Sequence, residues 1–439
     1  MSGERGREPS GGGHARDGRA EDGRAEDGRT EDGSAAGLLS GLRVVEVALL
    51  APNMLGMHLA DLGADVVKVE EPGRGDYTRA VGGARLADVS MLHVRWNRGK
   101  RSIAIDLRQP EGVVVFRELV AASEVVIEGL RAGALERRGL GYDALRAVNP
   151  ALVFVSLSGF GQTGPYRDLA THGVAYDAYA GLAPPERTEE GFPTIPRRYH
   201  DIGTKAGALY AAVGVLGAVL RARATGHGAR LDIAQADAAV AFNAGRIDEL
   251  LANATVAQQT GGMTAAVRYQ YYETADARTI LLQASERHFF ERFCRAVGRD
   301  DLLTGDVGAE FGEHARDDLT LRHELAAIFA TRTQAEWVNF LVEHDVPGGP
   351  VNRATDLLDD PQFQARFTQP GARTVGGRGA DGPAADGPRL LPTPIQTGEA
   401  LLAIRPAPTL GQHTDELLRE LLDYDDDRIG LLRAAGAVA

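Results

Sequence analysis

The spacing of apolar and polar positions changes period repeatedly along the chain, and each change marks an element. Residues 43–47 are a β-branched run of strand length. From Met54 to Leu62 the apolar residues fall at helical spacing, Gly63 ends the helix, and residues 65–70 read as a second strand. A strand over 102–107, a helix over 110–122 with Pro110 in its first turn, and strands over 124–128 and 152–157 continue the alternation. Strands alternating with helices predict a parallel, doubly wound α/β sheet. An apolar helix near 206–222 and a strand over 230–233 close this section. Residues 265–355 carry their own strand, 279–283, and helices over 286–297 and 335–344, which predicts a smaller α+β domain. A helix beginning near Thr414 is expected to return to the first domain. The expected layout is a tail over 1–37, the first part of a large domain over 38–240, a small domain over 265–355 and a return to the large domain over 391–439.

Length and composition add limits. A chain of 439 residues exceeds what one compact core accommodates, so roughly two or three domains are expected. Residues 19–33 repeat the pattern Arg, Ala or Thr, Glu, Asp, Gly with almost nothing apolar, and the tail they belong to is expected to be disordered. Residues 370–390, rich in Gly, Pro, Ala and Asp, read as a linker. Forty-eight basic against 61 acidic residues give a net charge of −13, which argues against a nucleic-acid partner and leaves room only for local basic pockets. The apolar run 206–220 is shorter than the roughly 20 residues a bilayer requires, and no apolar leader precedes the fold. A buried helix, no membrane partner and a cytoplasmic location are the expectations. The single cysteine, Cys294, closes no intrachain disulfide and builds no Cys-type metal site. Lys68, Lys100 and Lys205 are the only lysines beside 45 arginines.

Chemical candidates are few. Glu70, at the end of the second strand, invites a dinucleotide reading, but the first strand leads into Ala48-Leu-Leu-Ala-Pro-Asn-Met-Leu-Gly56, which lacks the close backbone approach that a GxGxxG turn gives a pyrophosphate. No phosphate loop, HExxH pair, EF-hand loop or GxSxG elbow is present. Asp201 precedes Gly203, Thr204 and the long apolar helix. A carboxylate there lies at a helix N-terminus, where the dipole and free N–H groups favour it and stabilise a nearby oxyanion. The residues leave two roles open for it: an N-cap that satisfies backbone donors, the commoner fate of such an aspartate, or a reactive acid. His172 is a loop histidine that becomes a base only beside a partner acid. Glu286 opens an amphipathic helix, where acids are ordinary.

Several ordered segments nevertheless resemble one group. Residues 41–46, 62–70, Asn97 to Ser102, 159–165, 346–351 and Leu410 to Thr414 are similar to the family III CoA transferases, which include the formyl-CoA:oxalate and carnitine CoA transferases together with alpha-methylacyl-CoA racemase. The resemblance implies a Rossmann-like large domain built from both chain ends, a smaller α+β domain between them, and an interlocked homodimer. It implies coenzyme A, carried as an acyl-CoA substrate, with a carboxylic acid as the other small-molecule partner and neither metal nor nucleotide cofactor. By motif, Lys68, Asn97, Arg98, Lys100 and Arg131 fall where the family holds CoA, and Asp201 where it has its catalytic aspartate, which forms an anhydride and then an aspartyl-CoA thioester. The resemblance implies a second possibility, racemisation by a base pair, because His172 and Glu286 fall where racemases place a histidine and the acid that polarises it. Gly173 replaces the aspartate that follows that histidine in racemases, and residues 346–351 look like the transferase version. A catalytically silent acyl-CoA binder is the third alternative.

Overall fold

The computed structural model describes residues 37–86, 88–253, 265–303, 318–367, 390–396 and 405–439. The repeat over 19–33 and all but the last residue of the linker read over 370–390 lie outside the described residues. Strands β1 (Arg43–Ala48), β2 (Asp65–Glu70), β3 (Arg101–Ala104), β4 (Val125–Gly129), β5 (Val153–Ser158) and β6 (Ala229–Ala234) form one wholly parallel sheet in the order β3-β2-β1-β4-β5-β6. The small sheet is antiparallel, with β8 (Thr279–Gln283) between β7 (Tyr269–Glu273) and β9 (Gly348–Val351). The helices that bear on core and site are α1 (Asn53–Asp61), α2 (Pro110–Ala121), α3 (Val174–Tyr179), α4 (Ile202–Thr225), α5 (Gln235–Phe242), α6 (Arg287–Ala296), α7 (Leu319–Phe329), α8 (Gln334–Glu343), α9 (Thr414–Leu422) and α10 (Asp426–Ala434).

Central strands of the parallel sheet are apolar on both faces because helices cover both. Side chains alternate across a strand, and the two faces separate cleanly. Val44, Val66 and Val125 point to a core completed by Leu55 and Leu59 of α1 and Ala211, Val215 and Val219 of α4. Val45, Val67 and Val126 point to the opposite core, which is filled by Val115, Phe116 and Leu119 of α2 and by Leu417, Leu418, Ile429 and Leu432 of α9 and α10. The two helices at the C-terminal end of the described residues, α9 and α10, therefore close a face opened by β1, β2 and β4. Backbone bonds reinforce this: Ala104 N donates to Thr414 Oγ1 at 3.1 Å and Ser102 N to His413 Nδ1 at 3.1 Å. The small sheet has its own aromatic core, in which Phe290, Phe293, Phe329, Trp337 and Phe340 pack together and Trp337 Nε1 donates to Phe329 O at 2.8 Å.

Two elements differ from the sequence reading for physical reasons. The third strand stops at Ala104 instead of running to 107, because Ile105 bridges antiparallel to Val438 and Asp106 N donates to Ala437 O, so the chain's end takes over the edge. The apolar helix runs from Ile202 to Thr225, ended by Gly226 in a left-handed conformation, and it is buried on one face only. Leu209, Val213 and Leu220 stand outside, the last two 70% exposed. By length and composition it is the one helix among the described residues apolar enough to span a membrane, with half of that stretch buried inside the protein.

Leu418 is fully buried and Leu431 is 72% exposed. Urea unfolding is expected to show Leu418→Ala losing about 2–5 kcal/mol and Leu431→Ala less than about 0.5 kcal/mol. Equal effects would contradict the packing of the C-terminal helices on the large sheet.

Candidate active site

Strand order reverses between β1 and β4, so the connection leaving β1 turns toward β2 while that leaving β4 turns toward β5. The carboxyl ends of such a pair open a crevice, the usual ligand site of doubly wound sheets. Here it is kept open by close backbone approach: a Cβ on Gly129 would lie 2.5 Å from Pro52 Cβ and 2.7 Å from Ala48 Cβ. A cavity of about 600 Å³ occupies the crevice, walled by Leu49–Pro52, Gly129–Arg131, Thr171–Gly173, Tyr176, Asp201, Thr204 and Gln235. A second cavity of about 320 Å³ adjoins it over the ends of β2 and β3, and the two share Leu49, Tyr77, Leu130 and Arg138.

Asp201 stands at the head of α4 but does not cap it. Its backbone is left-handed (φ 53°, ψ 48°) and its side chain bonds no helix N–H. The cap comes from elsewhere: Asp177, buried on α3, accepts from Ile202 N at 2.9 Å and Gly203 N at 2.7 Å. Asp201 Oδ1 instead accepts from Thr204 Oγ1 at 2.8 Å, and Oδ2 has no partner among the described residues. A non-glycine residue in this conformation stores about 1–3 kcal/mol, a cost found where function fixes a side chain. Of the two roles left open by the sequence, the capping role belongs to Asp177. The N–H groups of Ile202 and Gly203 are consequently occupied and are not free oxyanion donors.

Asp201 is flanked by Gly173, whose φ of 50° with ψ of −113° suits only glycine, and a Cβ there would stand 3.8 Å from Asp201 Oδ1. His172 lines the same cavity, exposed, its imidazole without a partner among the described residues. Glu286 is elsewhere: it is the N-cap of α6, which packs on the small sheet, and it lines neither crevice cavity. The acid expected to polarise His172 is therefore not beside it in this chain. Tyr176 backs the cavity, donating to Thr171 O at 3.1 Å and accepting from Gln235 Nε2 at 3.5 Å. Burial raises its phenol pKa, and the Asp201 charge adds to the effect.

Of the five residues matched to CoA by motif, only Arg131 faces the cavity, and it makes no ion pair among the described residues. The other four are turned inward and spent on protein partners. Lys68 Nζ donates to Ala48 O at 2.9 Å and Asn53 Oδ1 at 2.7 Å and pairs with Asp76 at 3.0 Å, at 0% exposure. Lys100 Nζ pairs with Glu46 at 2.6 Å and donates to Asn53 O and to Asn97 Oδ1, while Asn97 Nδ2 reaches His93. Arg98 makes a two-pronged bond to Asp61, at 2.8 and 2.5 Å. These groups tie α1 and the β1–α1 connection to the sheet, so they shape the crevice from beneath and offer no donor to a ligand in it. Sequence reasoning passed over the arginines that do line the crevice, Arg137, Arg138 and Arg167 over the Asp201 cavity and Arg74, Arg108 and Arg138 over the smaller one. It also missed Asp177 and Thr204 as neighbours of the acid. The legible signal was position: Arg131, Arg137 and Arg138 all lie in the connection that leaves β4.

The model for CoA-transferase family III matches residues 39–414. The chain belongs to that family. It is similar to the succinyl-CoA–D-citramalate CoA-transferase of Chloroflexus aurantiacus, 34% identical over 90% of this chain and 97% of that one. It is similar also to the human succinyl-CoA:glutarate CoA-transferase, 31% identical over 91% of this chain and 90% of that one. Among solved structures, a CaiB/BaiF family protein from Brucella suis superposes with a TM-score of 0.69, 29% identity and coverage of 88% of this chain and all of that one. The family III fold here is a six-stranded parallel sheet with helices on both faces, and the CoA thioesters on which such transferases act are substrates, not resident groups.

The buried charges under the crevice give a pH test. Burial alone would raise the Asp76 carboxyl, but the Lys68 ammonium and hydrogen bonds from Thr78 N and Asn53 outweigh it and bring the pKa from 3.8 to about 2. A pKa depressed on folding contributes stability above the unfolded value that is lost as pH falls through the folded one. Stability is thus expected to drop by about 2 kcal/mol between roughly pH 4 and pH 2 on account of this group. Asp76→Asn should be less stable at pH 7 and show a shallower acid loss in urea titrations. An unchanged acid slope would count against the pairing.

Proposed function

We propose that this protein moves CoA between an acyl-CoA thioester and a carboxylate, with Asp201 as the nucleophile. The observation that carries the reading is an aspartate excused from capping its own helix, held by one hydroxyl, with its second oxygen unpaired among the described residues on the wall of a crevice lined by arginines. The carboxylate attacks the thioester carbonyl carbon, the C–S bond breaks, and CoA leaves as the thiolate, giving a mixed anhydride. The thiolate then attacks the Asp201 carbonyl, releasing the first acid and leaving an aspartyl-CoA thioester. The acceptor carboxylate attacks that thioester, and the thiolate returns to the acceptor's acyl carbon, regenerating Asp201. Thioester energy is conserved at each step.

CoA is read as lying along the two joined cavities, its phosphates against Arg74 and Arg138, its pantetheine arm past Leu49, Tyr77 and Leu130, and its thioester at Asp201. Guanidinium groups suit phosphate and carboxylate alike. The names of the two relatives suggest succinyl-CoA as donor and a dicarboxylic acid as acceptor, with Arg131 or Arg167 available to a second carboxylate. An interlocked homodimer is part of the same proposal, supported by the uncovered Leu209, Val213 and Leu220 on α4 and by the placement of Glu286 outside the crevice. A cytoplasmic location is part of the proposal and rests on the lone cysteine, which suits a reducing compartment.

With succinyl-CoA and a panel of dicarboxylates, the wild type should exchange labelled CoA and Asp201→Ala should not. Hydroxylamine or borohydride should trap an adduct on Asp201. Full exchange in the Ala variant would sink the assignment. Exchange of the α-hydrogen in deuterated water without any acceptor acid would point to racemisation instead, and tight acyl-CoA binding with neither activity would point to a silent binder. Arg138→Gln is expected to raise KM for acyl-CoA about tenfold with kcat nearly unchanged; a loss in kcat alone would remove Arg138 from the CoA seat.

A further inference from the structure

We infer that Asp177 is a positioning residue whose task is to keep Asp201 out of its own helix. The inference rests on the reading of Asp201 as the reacting acid and goes beyond it, because Asp177 touches no part of the proposed substrate path. A helix that begins after an aspartate ordinarily draws that side chain back onto its first N–H groups, with extended backbone at the cap. Here both early donors are already satisfied by the two oxygens of Asp177, at 2.9 Å from Ile202 N and 2.7 Å from Gly203 N. Asp177 is 1% exposed and is carried on α3, which packs against α4 and α5. The neighbouring Tyr176 pins that short helix through its bonds to Thr171 O and Gln235 Nε2. Asp201 therefore gains nothing by capping. It remains left-handed, its side chain bonded among the described residues by Thr204 alone, with the second oxygen unpartnered there.

Take the Asp177 acceptors away and two N–H groups at the helix start lose their partner. The carboxylate next in the chain is that of Asp201, and its return to extended backbone would supply the missing acceptor while withdrawing the nucleophile from the crevice. A substrate-binding defect is not expected, since the lining of the CoA path is untouched. The signature is a fall in kcat at nearly constant KM.

The test compares Asp177→Ala, which offers no acceptor, with Asp177→Asn, which keeps one oxygen, in the full-length protein at a temperature well below both melting points. Expected values are a kcat about 100-fold below wild type for Ala and about tenfold below for Asn, with KM for acyl-CoA within about threefold and the hydroxylamine-trapped adduct reduced in parallel. A cap with a purely structural role would lower Tm and leave kcat alone. A kcat within about threefold of wild type in either variant overturns the inference, as does an Asn variant no better than Ala. Should Asp177→Ala fail to fold by circular dichroism, the Asn variant decides by the same threshold. If Asp201→Ala retains exchange, the nucleophile reading falls and this inference with it; if Asp201→Ala is inactive while both Asp177 variants turn over normally, the inference alone falls.

Discussion

The reversal of strand order between β1 and β4 is the constraint from which the rest follows. Two adjacent parallel strands whose connections depart in opposite directions cannot close over their own carboxyl ends, so a gap persists however well the flanking helices pack. Gly129 keeps it passable by letting Pro52 and Ala48 approach the backbone. Each feature of the candidate site is then a consequence of address: Leu49 to Pro52 follow β1, Leu130 and Arg131 follow β4, and the segment bearing His172 and Gly173 follows β5. The acid arrives on α4, packed on the same sheet by its alanine and valine face.

Beneath the crevice lies an arrangement that is costly to build. Lys68, Lys100, Glu46, Asp76 and Asn53 are all at 0% to 3% exposure, and taking such charges from water is offset only when each finds good partners. Lys68 and Lys100 do, between them reaching Ala48 O, Asn53 Oδ1 and Asn53 O. Those three acceptors bracket the β1–α1 connection at both of its ends. Charge burial is thereby converted into a fixed path for a loop that has a left-handed leucine, Leu50, in its middle.

Much of the fold was legible because its signals are local. β1, β2 and β4 each hold three β-branched residues, and the pattern along the chain found all six strands of the large sheet, with boundaries off by a residue or two except at β3, whose end is set by Val438 far away in sequence. The candidate site was legible in part. Asp201 and His172 stood out as acids and bases in loops, and the structure brings both to one cavity. Lys68, Asn97, Arg98 and Lys100 had the right chemical type for a phosphate, but type does not reveal direction. Whether a lysine faces a ligand or a buried glutamate depends on strand register, and Lys68 points inward because it lies level with Glu46 on β1. Asp177 was invisible for a similar reason: its partners are 25 and 26 residues away, and nothing in the sequence near it announces a helix end.

The left-handed turn at position 201 also narrows the alphabet permitted there. Glycine enters that region freely, asparagine and aspartate with modest reluctance, and nearly every other side chain at considerable expense. Glutamate, the obvious chemical substitute for an aspartate, is thus opposed by the main chain as well as by its extra methylene. Backbone geometry and the proposed chemistry converge on the same letter, so the site defends its acid twice.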